Sequence, residues 1–191
     1  MGKPNARARI LEVAGRLFHE RGYTAVGINE IIEVAETAKA TFYHHFPTKR
    51  ALGEAWLAGV HEDSEAGRAA ILEKDEPACE KVRDYFRALR RFLVGGGFRG
   101  CPYTNTAAVV TPGEEGLMDE VVKHKESVRT FLRGLAVQIV GKRGKEANRL
   151  GDRLFLLYSG ATTEAQNLKA TWPVDVAAEE AVALCGAAKG D

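Results

Sequence analysis

Along most of the chain, apolar positions recur three and four residues apart, which is the spacing of one buried face of an α-helix. No stretch alternates apolar and polar residues as a half-buried strand would. The first run extends from about Asn5 to Arg21, with Ile10, Leu11, Ala14, Leu17 and Phe18 on one stripe and Gly22 as its stop. Ile28, Ile31, Ile32 and Ala35 mark a second helix of about two turns. After a break at Glu36-Thr37, Phe42 and Phe46 repeat the i,i+4 spacing and Pro47 ends the run. A long helix carrying Leu52, Trp56 and Val60 follows. Asp75-Glu76-Pro77 then opens a helix through Val82, Phe86, Leu89 and Leu93, which Gly95-Gly96-Gly97 closes. A short helix or turn is expected after Cys101-Pro102, broken at Thr111-Pro112-Gly113. Two long runs come next. Glu114 to Val140 carries Val128, Phe131, Leu132, Leu135 and Ile139, and Lys145 to Lys169 carries Leu150, Leu154, Leu157, Tyr158, Ala161, Ala165 and Leu168. Trp172-Pro173 reads as the end of the second, and Val174 to Ala188 as a small, Ala-rich last helix. The predicted class is all-α.

Between Phe42 and Phe46 the opposite face of the third helix carries Lys39, Thr41, Tyr43 and His44. It is compact, rich in hydrogen-bonding groups and nearly free of acid. Such a face suits the major groove of DNA, with Tyr, Thr and Lys on phosphates at its edges. Residues 1–50 hold eight Lys/Arg against five Asp/Glu, whereas the whole chain has 27 against 26. That local excess can supply a salt-dependent phosphate attraction, but alone it describes a solvated surface equally well.

The same segment resembles the helix-turn-helix of the tetracycline-repressor (TetR) family of bacterial regulators. Gly22-Tyr23, Ile28, Ile31, Ala35, Lys39, Thr41, Phe42-Tyr43-His44-His45-Phe46, Thr48-Lys49 and Leu52 fall on that family's pattern, continuously over roughly residues 7–57. Three positions depart from it. Glu36 stands where a turn Gly is usual, weakening a left-handed cap. Ala38 replaces a Ser that would N-cap the recognition helix, and Gly27 replaces a capping hydroxyl. The resemblance implies an N-terminal three-helix DNA-binding domain over residues 1–48 and a helical effector-binding and dimerisation domain over 49–191. It places DNA contacts at Gly27, Ala38, Lys39, Ala40, Thr41, Tyr43, His44 and Lys49, with Tyr43 and Lys49 on phosphates. The operator is expected to be double-stranded and near-palindromic.

The remainder is similar to the ligand-binding part of one branch of the family, through Gly100-Cys101-Pro102-Tyr103-Thr104-Asn105, His124-Lys125 and Leu154 to Ala161. This implies a small-molecule effector held by Phe86, Phe98, Tyr103, Asn105, His124, Phe131, Phe155, Tyr158 and Gln166, in a setting that favours a largely neutral or aromatic compound. It also implies a homodimer paired through Leu154, Leu157, Ala161, Ala165, Leu168, Ala178 and Ala181. The expected activity is ligand-responsive transcription regulation, most simply repression relieved by the effector.

Composition narrows the alternatives. A 45% hydrophobic, 28% charged chain of 191 residues is ordinary for a globular protein. No run approaches the roughly eighteen apolar residues of a membrane span, and the basic N-terminus leads into an amphipathic helix, so the expected location is cytoplasmic. Three widely spaced cysteines indicate neither a disulfide framework nor a zinc site. Adjacent His44 and His45 diverge by about 100° on a helix and make a poor metal pair. Cys101 reads either as a small buried hydrophobe or as a reactive thiol. Gly95-Gly96-Gly97 lacks phosphate-loop context, and Lys142-Arg143-Gly144-Lys145 fits a solvated turn. Neither cofactor nor catalytic residue is indicated. Tyr103, Asn105, His124 and Tyr158 are the residues a helical enzyme would use, but they show no nucleophile–base spacing. A DNA-binding dimer without an effector remains the other alternative.

Overall fold

The computed structural model describes residues 5–188. Among them it has nine helices and no strand: α1 (Ala6–Arg21), α2 (Ile28–Val34), α3 (Lys39–His45), α4 (Lys49–Leu72), α5 (Ala78–Gly95), α6 (Pro102–Ala107), α7 (Glu115–Val140), α8 (Lys145–Leu168) and α9 (Trp172–Ala187). They form two compact units. The first takes the chain up to Asp63 together with Pro102–Lys123, and the second takes Ser64–Cys101 together with the chain from His124 onward. The 48/49 division expected from sequence therefore does not coincide with compactness. The first turns of α4 bury Leu52, Trp56 and Leu57, and α7 contributes the fully buried Leu117.

In the first unit, Asn5 caps α1 by accepting a hydrogen bond from Ala8 N at 2.8 Å. The apolar stripe foreseen for α1 is buried at Ile10, Ala14, Leu17 and Phe18. Phe18 packs against Tyr23 and Trp56, each with ring centroids 5.3 Å apart. Gly53 permits this closeness, since a Cβ there would lie 2.8 Å from the Tyr23 ring and 3.1 Å from Leu117. Tyr103, expected in the effector pocket, is a core residue of this unit. It is 1% exposed and donates to the Leu57 carbonyl at 2.7 Å, because a buried phenol requires a partner for its hydroxyl.

The second unit is built on α5, α8 and α9, with Val82, Phe86, Leu93, Leu132, Leu135, Leu154, Ala165 and Ala181 among its buried residues. α7 meets α8 at Gly151, where a Cβ would stand 2.6 Å from the Arg133 Cα. Beside it, Asp152 receives two guanidinium forks, from Arg129 at 2.8 and 3.2 Å and from Arg133 at 2.8 and 2.6 Å. Those hydrogen bonds hold its carboxyl well below the usual carboxylate range.

One boundary differs from the sequence expectation. Trp172-Pro173 does not end the long helix but starts α9, with Pro in its first turn. Proline lacks an N–H, and the first turn is the one part of a helix that leaves this group unpaired. α8 stops earlier, at Leu168, with Lys169 in the left-handed region at φ 52°.

Candidate nucleic-acid interface

α2 and α3 pack as a pair against α1 through Ile31, Ala35 and Phe42. Their connection is a Schellman turn. Thr37 N donates to Ile32 O at 3.1 Å and Glu36 N to Glu33 O at 3.0 Å. This geometry requires a left-handed residue at position 36, and Glu36 adopts φ 47°. α3 then starts at Lys39 without a side-chain cap from Ala38, and α2 likewise without one from Gly27. Both departures read from the sequence thus correspond to absent caps.

On α3 the buried side is Phe42, fully enclosed, with Phe46 just beyond the helix at 2% exposure. Lys39, Ala40, Tyr43 and His44 are exposed on the opposite side, as is Ala38 before it. Lys39 and Tyr43, and Ala40 and His44, are pairs four residues apart and so stand one above the other. Thr41 and His45 are half-buried, and the His45 ring meets His44 edge-on at 5.1 Å. The ring of Tyr43 leans on Phe42 at 5.3 Å, leaving the residue 40% exposed.

Lys49 behaves differently from that group. Its Nζ lies 4.6 Å from the Tyr23 ring centroid and donates to the Thr24 carbonyl at 3.4 Å. Burial lowers its pKa, while Glu114 opposes the shift. The ammonium expected on a phosphate is therefore engaged within its own unit. Tyr23 completes the cluster by donating to Glu114 Oε1 at 3.0 Å. Burial and then Glu114 push the Tyr23 phenol well up. Burial alone would raise Glu114, but hydrogen bonds from Thr111 and Tyr23 draw it below its usual value.

Sequence reasoning missed the residues that brace this surface. Arg9 Nε donates to Ala35 O at 3.3 Å, closing the end of α2, and Arg7 lies 5.3 Å from the Phe46 ring centroid. In the sequence they counted only toward a basic excess. Arg50 donates to Gly113 O at 2.7 Å across 63 positions, a pairing that no local pattern announces.

A family profile described as "Bacterial regulatory proteins, tetR family" matches residues 10–55, which contain α2 and α3 whole. A TetR-family transcriptional regulator from Streptomyces coelicolor superposes with a TM-score of 0.79 at 26% identity, over 97% of this chain and 95% of that one. The TetR-family match covers the DNA-binding segment, and the chain as a whole has the fold of a TetR-family regulator. Two HTH-type transcriptional repressors are similar over about two thirds of its length. The HTH-type transcriptional repressor DhaR of Mycobacterium sp. (strain GP1) is 27% identical over 64% of this chain and 61% of its own. The corresponding repressor NemR of Escherichia coli K12 is 26% identical over 67% and 65%. Both matches thus cover less than two thirds of those repressors. The reduced form of E. coli NemR has the same fold, with a TM-score of 0.81 at 21% identity over 93% of this chain and 95% of that one. These relatives are named as transcriptional regulators.

The expected effector residues divide between the units. Tyr103 and Asn105 belong to the first, and Phe86, Phe98, His124, Phe131, Phe155, Tyr158 and Gln166 to the second. Within the second, Tyr158 stacks on Tyr85 at 4.9 Å and meets Phe86 edge-on at 6.3 Å, while Tyr85 also contacts Phe131 at 4.9 Å. His124 is buried, Phe98 and Phe155 are half-buried, and Gln166 covers Gly100.

The expected dimer residues divide as well. Leu154, Ala161, Ala165 and Ala181 are buried within the chain's own core, whereas Leu168 is exposed. The open apolar surface of α8 and α9 is instead a shallow groove with Leu156, Trp172 and Val176 on its walls, 67%, 57% and 49% exposed. Among the described residues no group of three or more His, Cys, Asp or Glu is placed to hold a metal. No helix of the described residues is long and apolar enough to cross a membrane.

Proposed function

We propose that the protein is a homodimeric, cytoplasmic transcriptional repressor that binds a near-palindromic operator through α3 and leaves it when a small molecule binds the second unit. The observation that carries the reading is the two-sided α3, with Phe42 and Phe46 buried and Lys39, Ala40, Tyr43 and His44 displayed together. Major-groove recognition uses such a helix, with phosphate contacts setting its position and base-edge contacts its sequence preference. Similarity to repressors named as such supports the direction of control.

The groove of α8 and α9 supports dimerisation. Exposed Leu156, Trp172 and Val176 form an apolar patch beside the small residues Gly160 and Ala161, which admit close helix approach. A two-fold dimer would present two copies of α3 to successive major-groove faces.

The test is DNA binding by the purified protein. Tyr43→Phe should lower affinity for every sequence and preserve their ranking. Lys39→Ala should change the ranking. A Lys39→Ala, Tyr43→Phe, Lys49→Ala variant binding operator as tightly as the parent in moderate salt would overturn the α3 reading. Light scattering that shows a monomer at micromolar concentration with DNA binding intact would overturn the dimer.

A further inference from the structure

Arg68 is a buried cation of the second unit, with its side chain 5% exposed. Its hydrogen bonds go to two uncharged hydroxyls, Ser64 Oγ at 2.6 Å on its own helix and Ser127 Oγ at 2.8 Å on α7. The nearest carboxylate, Glu65, stands 4.0 Å away on a side chain that is 56% exposed. Ser127 in turn donates to Glu65 at 3.3 Å, so the acid reaches Arg68 mainly through a hydroxyl. A guanidinium removed from water is costly unless a bonded anion offsets the loss. Two serines and a water-facing acid at the limit of contact provide only part of that offset.

A second orphan lies beside it. Tyr85 is 7% exposed, and its hydroxyl, within reach of Arg68 and of the Tyr158 hydroxyl, makes no well-formed hydrogen bond to either. The charge of Arg68 acts on the hydroxyls of both Tyr85 and Tyr158, and those two hydroxyls act on each other. Burial raises both phenols, so each keeps its proton at neutral pH and remains a donor. The group therefore combines a guanidinium with phenol O–H donors, and the oxygens inside it are neutral hydroxyls, so apart from the water-facing Glu65 it holds no anion of its own. Its complement is a carboxylate, which accepts at two oxygens and brings one negative charge. The rings behind the hydroxyls, Tyr85 against Phe131 and Tyr158 against Phe86, offer an apolar and aromatic wall to the rest of such a molecule.

We propose that Arg68, Tyr85 and Tyr158 recognise the anionic end of the effector, and that the effector is a small hydrophobic or aromatic monocarboxylic acid. The proposal rests on the effector-controlled reading above and departs from the largely neutral compound that the sequence favoured. Arg68 lies on α4, the helix that follows the DNA-facing α3 after Phe46-Pro47-Thr48, so a ligand bound there acts on the element next in the chain.

The test measures thermal shift and binding calorimetry on the full chain with benzoate, phenylacetate, cinnamate and octanoate, each beside its primary amide. At least one acid should raise the melting temperature at millimolar concentration while its amide does not. Arg68→Gln should weaken that acid at least tenfold. That variant also strips a donor from Ser64 and Ser127 and can unfold the chain, so Tyr85→Phe is the companion. It removes an unpaired hydroxyl, so the free protein should melt no lower, while the dissociation constant for the acid rises about tenfold. A role confined to packing would move neither the acid-to-amide preference nor the acid affinity of Tyr85→Phe. Amides binding as tightly as acids, no acid binding below about 10 mM, or Tyr85→Phe binding its acid like the parent would each overturn the proposal. Operator binding measured without any acid separates the two readings. If DNA binds and no acid does, only the effector class falls.

Discussion

At Glu36 the backbone takes φ 47° because the Schellman turn between α2 and α3 leaves no other choice. A side chain with a Cβ pays about 1–2 kcal/mol for that conformation, and Gly does not. Part of the gain from Gly is returned through its larger loss of freedom on folding. Glu36→Gly should therefore stabilise the protein by about 1 kcal/mol, seen as a higher urea midpoint at unchanged slope. Glu36→Ala, equally uncharged but still left-handed, should not. If Ala stabilised as much as Gly, charge and not backbone strain would be the cause. This site was legible in the sequence, since a Glu stood where a turn needs Gly, and so were the missing caps at Gly27 and Ala38. Lys49 and Arg68 were not. A Lys or Arg in a one-dimensional pattern reads as solvated, and only packing turns Lys49 onto Tyr23 or encloses Arg68 with Ser64 and Ser127.

Helices were read correctly where apolar periodicity ran between clear stops, as in α1, and misread where one residue signals two things. Proline ends a helix or occupies its first turn, and Trp172-Pro173, which reads as an end in the sequence, begins α9. The aromatic residues of α5, α7 and α8 share this ambiguity, because helical spacing is the same for a ring that fills a core and one that lines a site. The clasp of α7 on α8 was also hidden. It depends on Gly151 allowing contact and on Asp152 receiving both Arg129 and Arg133. Its pH dependence follows from the direction of the shift. The folded-state pKa of Asp152 is depressed, so its contribution is complete above the unfolded carboxylate value near 4 and fades as pH falls below it. The carboxylate is about one third exposed, so screening limits the effect to about 1 kcal/mol or less. Asp152→Asn should melt below the parent at pH 7, and the gap should narrow steadily between pH 5 and pH 2.5. A gap constant over that range would assign the loss to packing instead of charge.

For the whole molecule, control by an effector is a statement about linked equilibria. α4 gives residues 49–63 to the first unit and 64–72 to the second, and α7 is shared in the same way. Neither unit is therefore a free-standing stretch of chain, and a displacement of Arg68 or Ser64 is made on the same helix that holds Lys49 and Arg50. A ligand shifts such a protein only by the difference in its affinity for the two states, and the coupling is reciprocal. An effector that weakens operator binding by a given factor must itself bind the operator complex more weakly by that factor, typically about 5–150-fold. The measurement is the effector's dissociation constant on free protein and on protein saturated with operator, set beside the operator's constant with and without saturating effector. Equal ratios are expected. Unequal ratios would mean that the effector changes the amount of active dimer, a case exposed by repeating both titrations at tenfold higher protein concentration. An effector that saturates the second unit and leaves operator affinity untouched would remove the coupling altogether, leaving α3 as the reader of DNA in a regulator controlled by other means.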